Sequence, residues 1–140
     1  MRSTLLLCVL LLAVRTGLGQ AKPKIDQNQL PPSFMPTGKQ MFKQYCAACH
    51  GLDAKGHGPA WAALKVRPAD LTTLAKRHGG EFPYDDVSDV LMFGPGVLAH
   101  GSSDMPTWGQ IFLYRDNFNQ TVVKKRIKNL CDYLASLQEK

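Results

Sequence analysis

Val123, Ile127, Leu130, Leu134 and Leu137 recur at intervals of four, three, four and three. That spacing lays one continuous apolar stripe along a helix of about five turns. Upstream, the pattern is cut into shorter pieces. Thr37 is a good N-cap, and Gln40 three positions later completes a capping-box pattern. The helix that begins there should run through Phe42 and Tyr45 into Cys46 and Cys49. Pro59 opens a short helix through Leu64. Asp70 caps a stretch with Leu71, Leu74 and Ala75 on one face, stopped by Gly79-Gly80. Asp85 or Asp86 starts a helix bearing Val87, Val90 and Leu91, which ends before Gly94. Residues 51–58 and 94–106 read as loops from their Gly and Pro content. No strand-like alternation of useful length and no internal repeat is visible, so the predicted fold class is all-α.

The start of the chain has a different pattern. An unbroken apolar run from Leu5 to Val14 follows Arg2 and precedes the small residues of Gly17-Leu18-Gly19. Residues 1–19 therefore read as a secretory signal peptide. The run is too short to span a bilayer, which takes roughly 20 residues, and no later segment is apolar enough, so no transmembrane segment is expected in the mature chain. Cys8 lacks the small residues before it that a lipoprotein site would show. Residues 20–36, with Pro23, Pro31, Pro32 and Pro36 among Lys, Gln and Asn, read as an extended arm. The remaining domain is 37–140.

The 140 residues, 44% of them hydrophobic, provide for one compact domain and argue against disorder. Losing Arg2 and Arg15 with the signal lowers Lys+Arg from 17 to 15 against 11 Asp+Glu, a mature charge of +4. The charges are mixed and lack aromatic interleaving, which excludes nucleic acid as a partner. A solvated surface that weakly attracts an acidic partner is the expected meaning, and Lys124-Lys125-Arg126 is read as the wet face of the last helix. Short helices joined by Gly- and Pro-rich loops leave the core thin, so something must supplement it.

Cys46-Ala47-Ala48-Cys49-His50 supplies the candidate. It is a C-x-x-C-H motif, the attachment signature of c-type haem. Two cysteines three apart on a helical turn lie on one side, with Cβ atoms on the order of 5–6 Å apart, and reach the two vinyl groups of one porphyrin edge as thioethers. His50 then offers a nitrogen to iron. A structural zinc site would need four ligands, whereas beyond this motif the mature chain has only Cys131, with His57, His78 and His100 scattered singly. A thioredoxin-like pair would sit near a βαβ pattern, which is missing. A chance match is the remaining alternative.

From this motif outward the sequence resembles the class I c-type cytochromes over roughly residues 37–138. Gly38, Phe42 and Cys46 are spaced by four in the first helix, and Leu130, Tyr133 and Leu134 match the family's residues where the last helix crosses it. The stretch C-A-A-C-H-G-x-x-x-x-G-x-G-P-A, then P-A-D-L-T and a late M-P-x-W, is most similar to bacterial periplasmic monohaem cytochromes. The resemblance implies one covalently attached haem c per chain, with Cys46, Cys49 and His50 binding it. It implies that the Gly58-Pro59 segment offers a carbonyl to the imidazole Nδ1–H, and that Asp104-Met105-Pro106 is the sixth-ligand loop. Met105 is then the second iron ligand, and Trp108 a core aromatic against the porphyrin. Met35 and Met41 lie on the Cys46 side, and Met92 is expected to pack in the core.

With His50 and Met105 filling both axial positions, the expected role is electron transfer rather than catalysis. The first expectation is a soluble periplasmic one-electron carrier, a monomer that shuttles electrons between respiratory-chain partners such as an oxidase or dehydrogenase. Its contact would be small, below about 1,200 Å², at a haem edge near Ala47, Ala48 and the Val97-Leu98 loop, with Lys39, Lys43 and Lys55 steering the partner. The alternative is a haem c subunit of a membrane respiratory or dehydrogenase complex, docked through the arm. A peroxidase or sensor is a third reading, against which stands the lack of an acid–base pair beyond His100. Cys131 is read as a buried core thiol rather than half of an intermolecular disulfide. His57 is read as an exposed turn residue and His78 as a helix end. His100 lies in the Met105 loop and is weighed as a competing iron ligand, with Met105 preferred, and Arg67 either neutralises a propionate or faces solvent.

Overall fold

A computed structural model describes residues 34–95 and 104–139. The expected signal, residues 20–33 of the arm, the Val97-Leu98 loop and His100 lie outside the described residues. Within them the elements are α1 (Gly38–Met41), a π-helical turn (Phe42–Cys46), α2 (Ala47–His50), a 3₁₀ turn (Trp61–Ala63), α3 (Leu74–Arg77), α4 (Tyr84–Phe93), α5 (Trp108–Arg115) and α6 (Gln120–Ser136). No strand occurs among the described residues, and the fold is all-α.

The first helical run starts as its sequence predicts. The Thr37 hydroxyl accepts from the Gln40 N–H at 3.2 Å, and the Gln40 side chain accepts from the Thr37 N–H at 2.9 Å, a complete capping box. The π turn was not visible in the sequence. Ala47 N–H reaches back five residues to the Phe42 carbonyl, and the extra residue rotates the chain beyond it by about 100° relative to an uninterrupted α-helix. Phe42 packs its ring 5.5 Å from that of Tyr133 on α6, while Cys46 ends the turn and α2 carries Cys49 and His50.

α1 crosses α6 at close range. A Cβ on Gly38 would lie 1.9 Å from the Asn129 carbonyl oxygen and 2.7 Å from the Tyr133 Cβ, so only glycine admits this approach. The Asn129 side chain also donates to the Pro36 carbonyl at 3.2 Å, anchoring the chain just before the helix. α6 follows its predicted stripe: Val123, Ile127, Leu130 and Leu134 are buried and Leu137 partly so. Asn119 caps it, accepting from Val122 N–H. Cys131 is a fully buried free thiol, and burial pushes its pKa up to about 12.

Three expectations change. Lys124 and Lys125 are exposed, but Arg126 is only 5% exposed, because it sits between Val123 and Ile127 on the buried face and pairs with Asp116. The helix expected from Pro59 to Leu64 is only the 3₁₀ turn Trp61–Ala63. The stretch after Asp70 is mostly turn: the Asp70 carboxylate takes both the Thr72 N–H (2.8 Å) and its hydroxyl (2.6 Å), which delays α3 to Leu74. α4 spans Tyr84–Phe93 as expected, with Asp85 and Asp86 in its first turn. It packs with α5 and α6 into the second half of the core.

Candidate functional site

The helical elements enclose an apolar cavity of about 600 Å³, within the roughly 300–1,000 Å³ usual for small-molecule and cofactor sites. The π turn and α2 supply Cys46, Cys49 and His50 to its lining. α4 supplies Val87, Val90 and Leu91, and α6 supplies Leu130 and Leu134. Met105, Pro106 and Trp108 come from the segment that leads into α5.

His50 is held from the side. Its Nδ1 lies 3.0 Å from the Ala69 carbonyl oxygen, so Nδ1–H donates there and Nε2 is left as the nitrogen with a lone pair. Burial lowers the imidazole's pKa, although the Ala69 carbonyl pulls the other way. The ring is therefore favoured in the neutral form that a metal binds. The acceptor differs from expectation. Gly58-Pro59 does not serve it, and Pro59 is exposed and absent from the cavity lining. The Gly58 N–H instead bonds the Cys49 carbonyl and the Ala60 N–H the Ala48 carbonyl, so that segment closes the end of α2 and leaves the imidazole to Ala69. The sequence carries a signal for this acceptor in Pro68-Ala69-Asp70, where the Asp70-Thr72 turn fixes the peptide beside it.

Cys46 is buried and Cys49 partly so, both as free thiols. Burial, with Cys49 beside it, pushes the Cys46 thiol up to about 12. Among the described methionines only Met105 lines the cavity. Met41 is fully buried, 3.9 Å from the Arg126 guanidinium through its sulfur. Met92 packs against Gly109 and lines a separate groove between α4 and α6. The Met105 segment is tied across the cavity by Lys65 N–H, which donates to the Asp104 carboxylate at 3.0 Å. Trp108 is 9% exposed and packs on Tyr45 and Phe112, with ring centroids 5.3 and 5.8 Å away.

Polar groups also border the cavity. Arg67, Arg77, His78 and Asp86 all contribute to its lining. The Arg67 guanidinium bonds His57, whose ring stands edge-on to Trp61. His57 is exposed, as read from its turn, and His78 caps the end of α3 with Nδ1 on the Leu74 carbonyl at 2.8 Å. No group of three or more His, Cys, Asp or Glu suited to a metal ion comes together among the described residues.

Residues 33–134, well over half of the chain, match the family model described as cytochrome c oxidase, cbb3-type, subunit III. The chain belongs to that family and is a class I c-type cytochrome. Comparison with curated proteins and with solved structures gives no match. The cofactor of such a cytochrome is haem c, with iron. The cavity of this cytochrome fits that group: it is apolar, two free thiols share one wall with a neutral imidazole, and a thioether is the soft donor brought to the same space. No helix among the described residues is long and apolar enough to cross a membrane.

Proposed function

We propose that the protein is a one-electron carrier with a single haem c, attached through Cys46 and Cys49 and ligated by His50 and Met105. The observation that carries this reading is the convergence of Cys46, Cys49, His50 and Met105 on one apolar cavity. When bound, the haem supplies a one-electron Fe(III)/Fe(II) couple. The chain's own contribution is to set that couple's surroundings. Ala69 orients His50 and fixes its tautomer. The Asp104–Lys65 contact steadies the Met105 segment. Leu91, Leu130 and Leu134, each at most 4% exposed, keep water away and favour the less charged Fe(II) state, as does a Met ligand.

The wider setting follows from the sequence. Residues 1–19 act as the export signal, and the carrier works in the periplasm. The family's description, an oxidase subunit, favours a second reading in which the same domain serves within a membrane respiratory complex. The arm at 20–36 is then its docking segment. In either setting the partners are redox proteins.

Absorption spectra of the oxidised and reduced protein test the first proposal, since they report covalent attachment, spin state and axial ligation together. A low-spin spectrum of the native protein, with the haem left on the polypeptide after acid–acetone extraction, supports it. Extractable haem, or a high-spin spectrum at neutral pH, overturns it. Gel filtration of gently solubilised native material separates the two settings: elution at the monomer position supports the free carrier, and co-elution with an oxidase supports the subunit.

A further inference from the structure

Beyond α6 the chain makes a dense set of contacts that neither the family match nor the haem site requires. Gln138 uses three of its amide's four hydrogen-bonding positions on backbone. Its Oε1 accepts from Ala75 N–H at 2.8 Å, satisfying one of the donors that a helix start leaves unpaired. Its Nε2 donates to the Leu71 and Leu134 carbonyls, each at 2.8 Å. Glu139 adds its own N–H to the Thr72 carbonyl at 2.8 Å. The Glu139 carboxylate pairs with Lys55 at 2.9 Å and accepts from the Thr72 hydroxyl at 3.3 Å.

Apart from the Leu134 carbonyl and Lys55, everything these two residues hold lies in residues 71–75, just after the Ala69 carbonyl that receives His50 Nδ1–H. Leu71 is fixed on both sides of its peptide: its N–H donates to the Ala54 carbonyl at 2.8 Å and its carbonyl is taken by Gln138. Asp70, between Ala69 and Leu71, is locked by its own turn onto Thr72. Ala69 has only one peptide of freedom between itself and this anchored stretch. The stretch runs into α3, a helix of only four residues, which cannot hold its position by propensity alone.

We propose that Gln138 and Glu139 are positioning residues for His50: by clamping residues 71–75 they hold the Ala69 carbonyl against the imidazole Nδ1–H. This rests on the reading of His50 as an iron ligand. A carbonyl on Nδ1–H raises the basicity of the ligand nitrogen, which favours Fe(III). Loosening the clamp therefore weakens that hydrogen bond and raises the reduction potential, with Cys46, Cys49, His50 and Met105 untouched.

The experiment uses the full haem-loaded protein. The readouts are the reduction potential and the hydrogen-exchange rate of the His50 Nδ1–H in the diamagnetic reduced state, followed by nitrogen-15 NMR. Gln138→Met keeps length and apolar volume while removing all three hydrogen bonds. Glu139→Pro removes the N–H that bonds Thr72 together with the carboxylate that holds Lys55 and the Thr72 hydroxyl, all beyond the end of α6, and reads the clamp independently if Gln138→Met does not fold. Lys128→Met, which breaks an exposed pair with Asp132 on the same helix, is the control. Faster exchange together with a raised potential in either clamp variant, and neither change in the control, supports the proposal. Wild-type rate and potential in both clamp variants overturn the clamp alone. His50 ring resonances without porphyrin ring-current shifts in the wild-type protein overturn the ligand assignment and the clamp with it.

Discussion

The guanidinium of Arg126 grips the Asp116 carboxylate with two hydrogen bonds, Nε to Oδ2 at 2.6 Å and Nη2 to Oδ1 at 2.8 Å. Asp116 is the residue that ends α5, and Arg126 lies on the buried face of α6, so the pair fixes one helix against the other. The side chains are only 6% and 12% exposed, and the guanidinium also lies 5.7 Å from the centre of the Phe112 ring. A pair this enclosed contributes little over an apolar replacement, yet losing one partner strands a buried charge. Asp116→Ala and Arg126→Ala are each expected to destabilise by on the order of 3–5 kcal/mol. The double variant Asp116→Leu/Arg126→Leu should recover a large part of that loss. Urea denaturation of the haem-loaded protein checks both, and additive losses in the double variant would refute the coupling.

Gly38→Ala tests the helix crossing. The added Cβ would meet the Asn129 carbonyl at 1.9 Å, and that atom belongs to the backbone of α6 and cannot swing aside. Although alanine is the better helix former by about 1 kcal/mol, the overlap forces α1 and α6 apart. Overpacking of this kind costs about 1–3 kcal/mol, and the net effect is expected to be destabilising. A variant of unchanged or raised melting temperature would show that the crossing relaxes freely.

These two sites show what was and was not legible in the sequence. The α1–α6 crossing was readable through the resemblance to class I c-type cytochromes, which sets Gly38 and Phe42 against the last helix, and both meet Tyr133 in the structure. Arg126 was not, because a cation beside two exposed lysines reads as surface, and its acid lies in another helix. That helix, α5, was itself missed. Trp108, Ile111, Phe112, Leu113 and Tyr114 cluster without a clean stripe, and Gly109 lowers helix propensity in the second position. Gly109 is there for a tertiary reason, since its Cβ would lie 2.2 Å from the Met92 carbonyl. The C-x-x-C-H motif was legible because it is local. The imidazole's acceptor was not, because it lies 19 residues away and depends on how the intervening loop folds.

Acid titration gives a third test. Among the described residues three carboxylates lie below their ordinary values. For Asp70 burial acts upward, but two hydrogen bonds from Thr72 and the charges of Lys55 and Arg77 outweigh it. A hydrogen bond from Lys128 lowers Asp132, and one from Lys55 lowers Glu139. A carboxylate depressed in the folded state contributes stability that is complete above its unfolded value, 3.8 for Asp and 4.5 for Glu, and that fades as pH falls through the folded one. The stability gap between the protein and its Asp70→Asn or Glu139→Gln variant should therefore be constant above about pH 5 and close as the pH drops toward 3. Urea titrations at several pH values measure it. A gap that holds its size at pH 3 would remove the linkage.

Met105 and Met92 stand thirteen positions apart and make opposite predictions. Met105 lines the cavity shared with Cys46, Cys49 and His50, on a segment stiffened by Pro106 and tied through Asp104 to Lys65. Met92 lies outside that cavity, partly buried, with its sulfur 2.8 Å from where a Gly109 Cβ would sit. Met105→Ala is expected to abolish the weak near-infrared sulfur-to-iron band of the oxidised protein and to lower its reduction potential. The covalent haem should remain, because Cys46 and Cys49 are untouched. Met92→Ala should keep the band and cost only stability. Full burial would set that cost at roughly 2–5 kcal/mol, and partial burial places it at the lower end. The band separates the two effects cleanly, since it depends on a sulfur bonded to iron and not on how tightly α4 packs against α5. Its loss in Met92→Ala, with survival in Met105→Ala, would move the sixth ligand to Met92 and require α4 to turn its far side into the cavity.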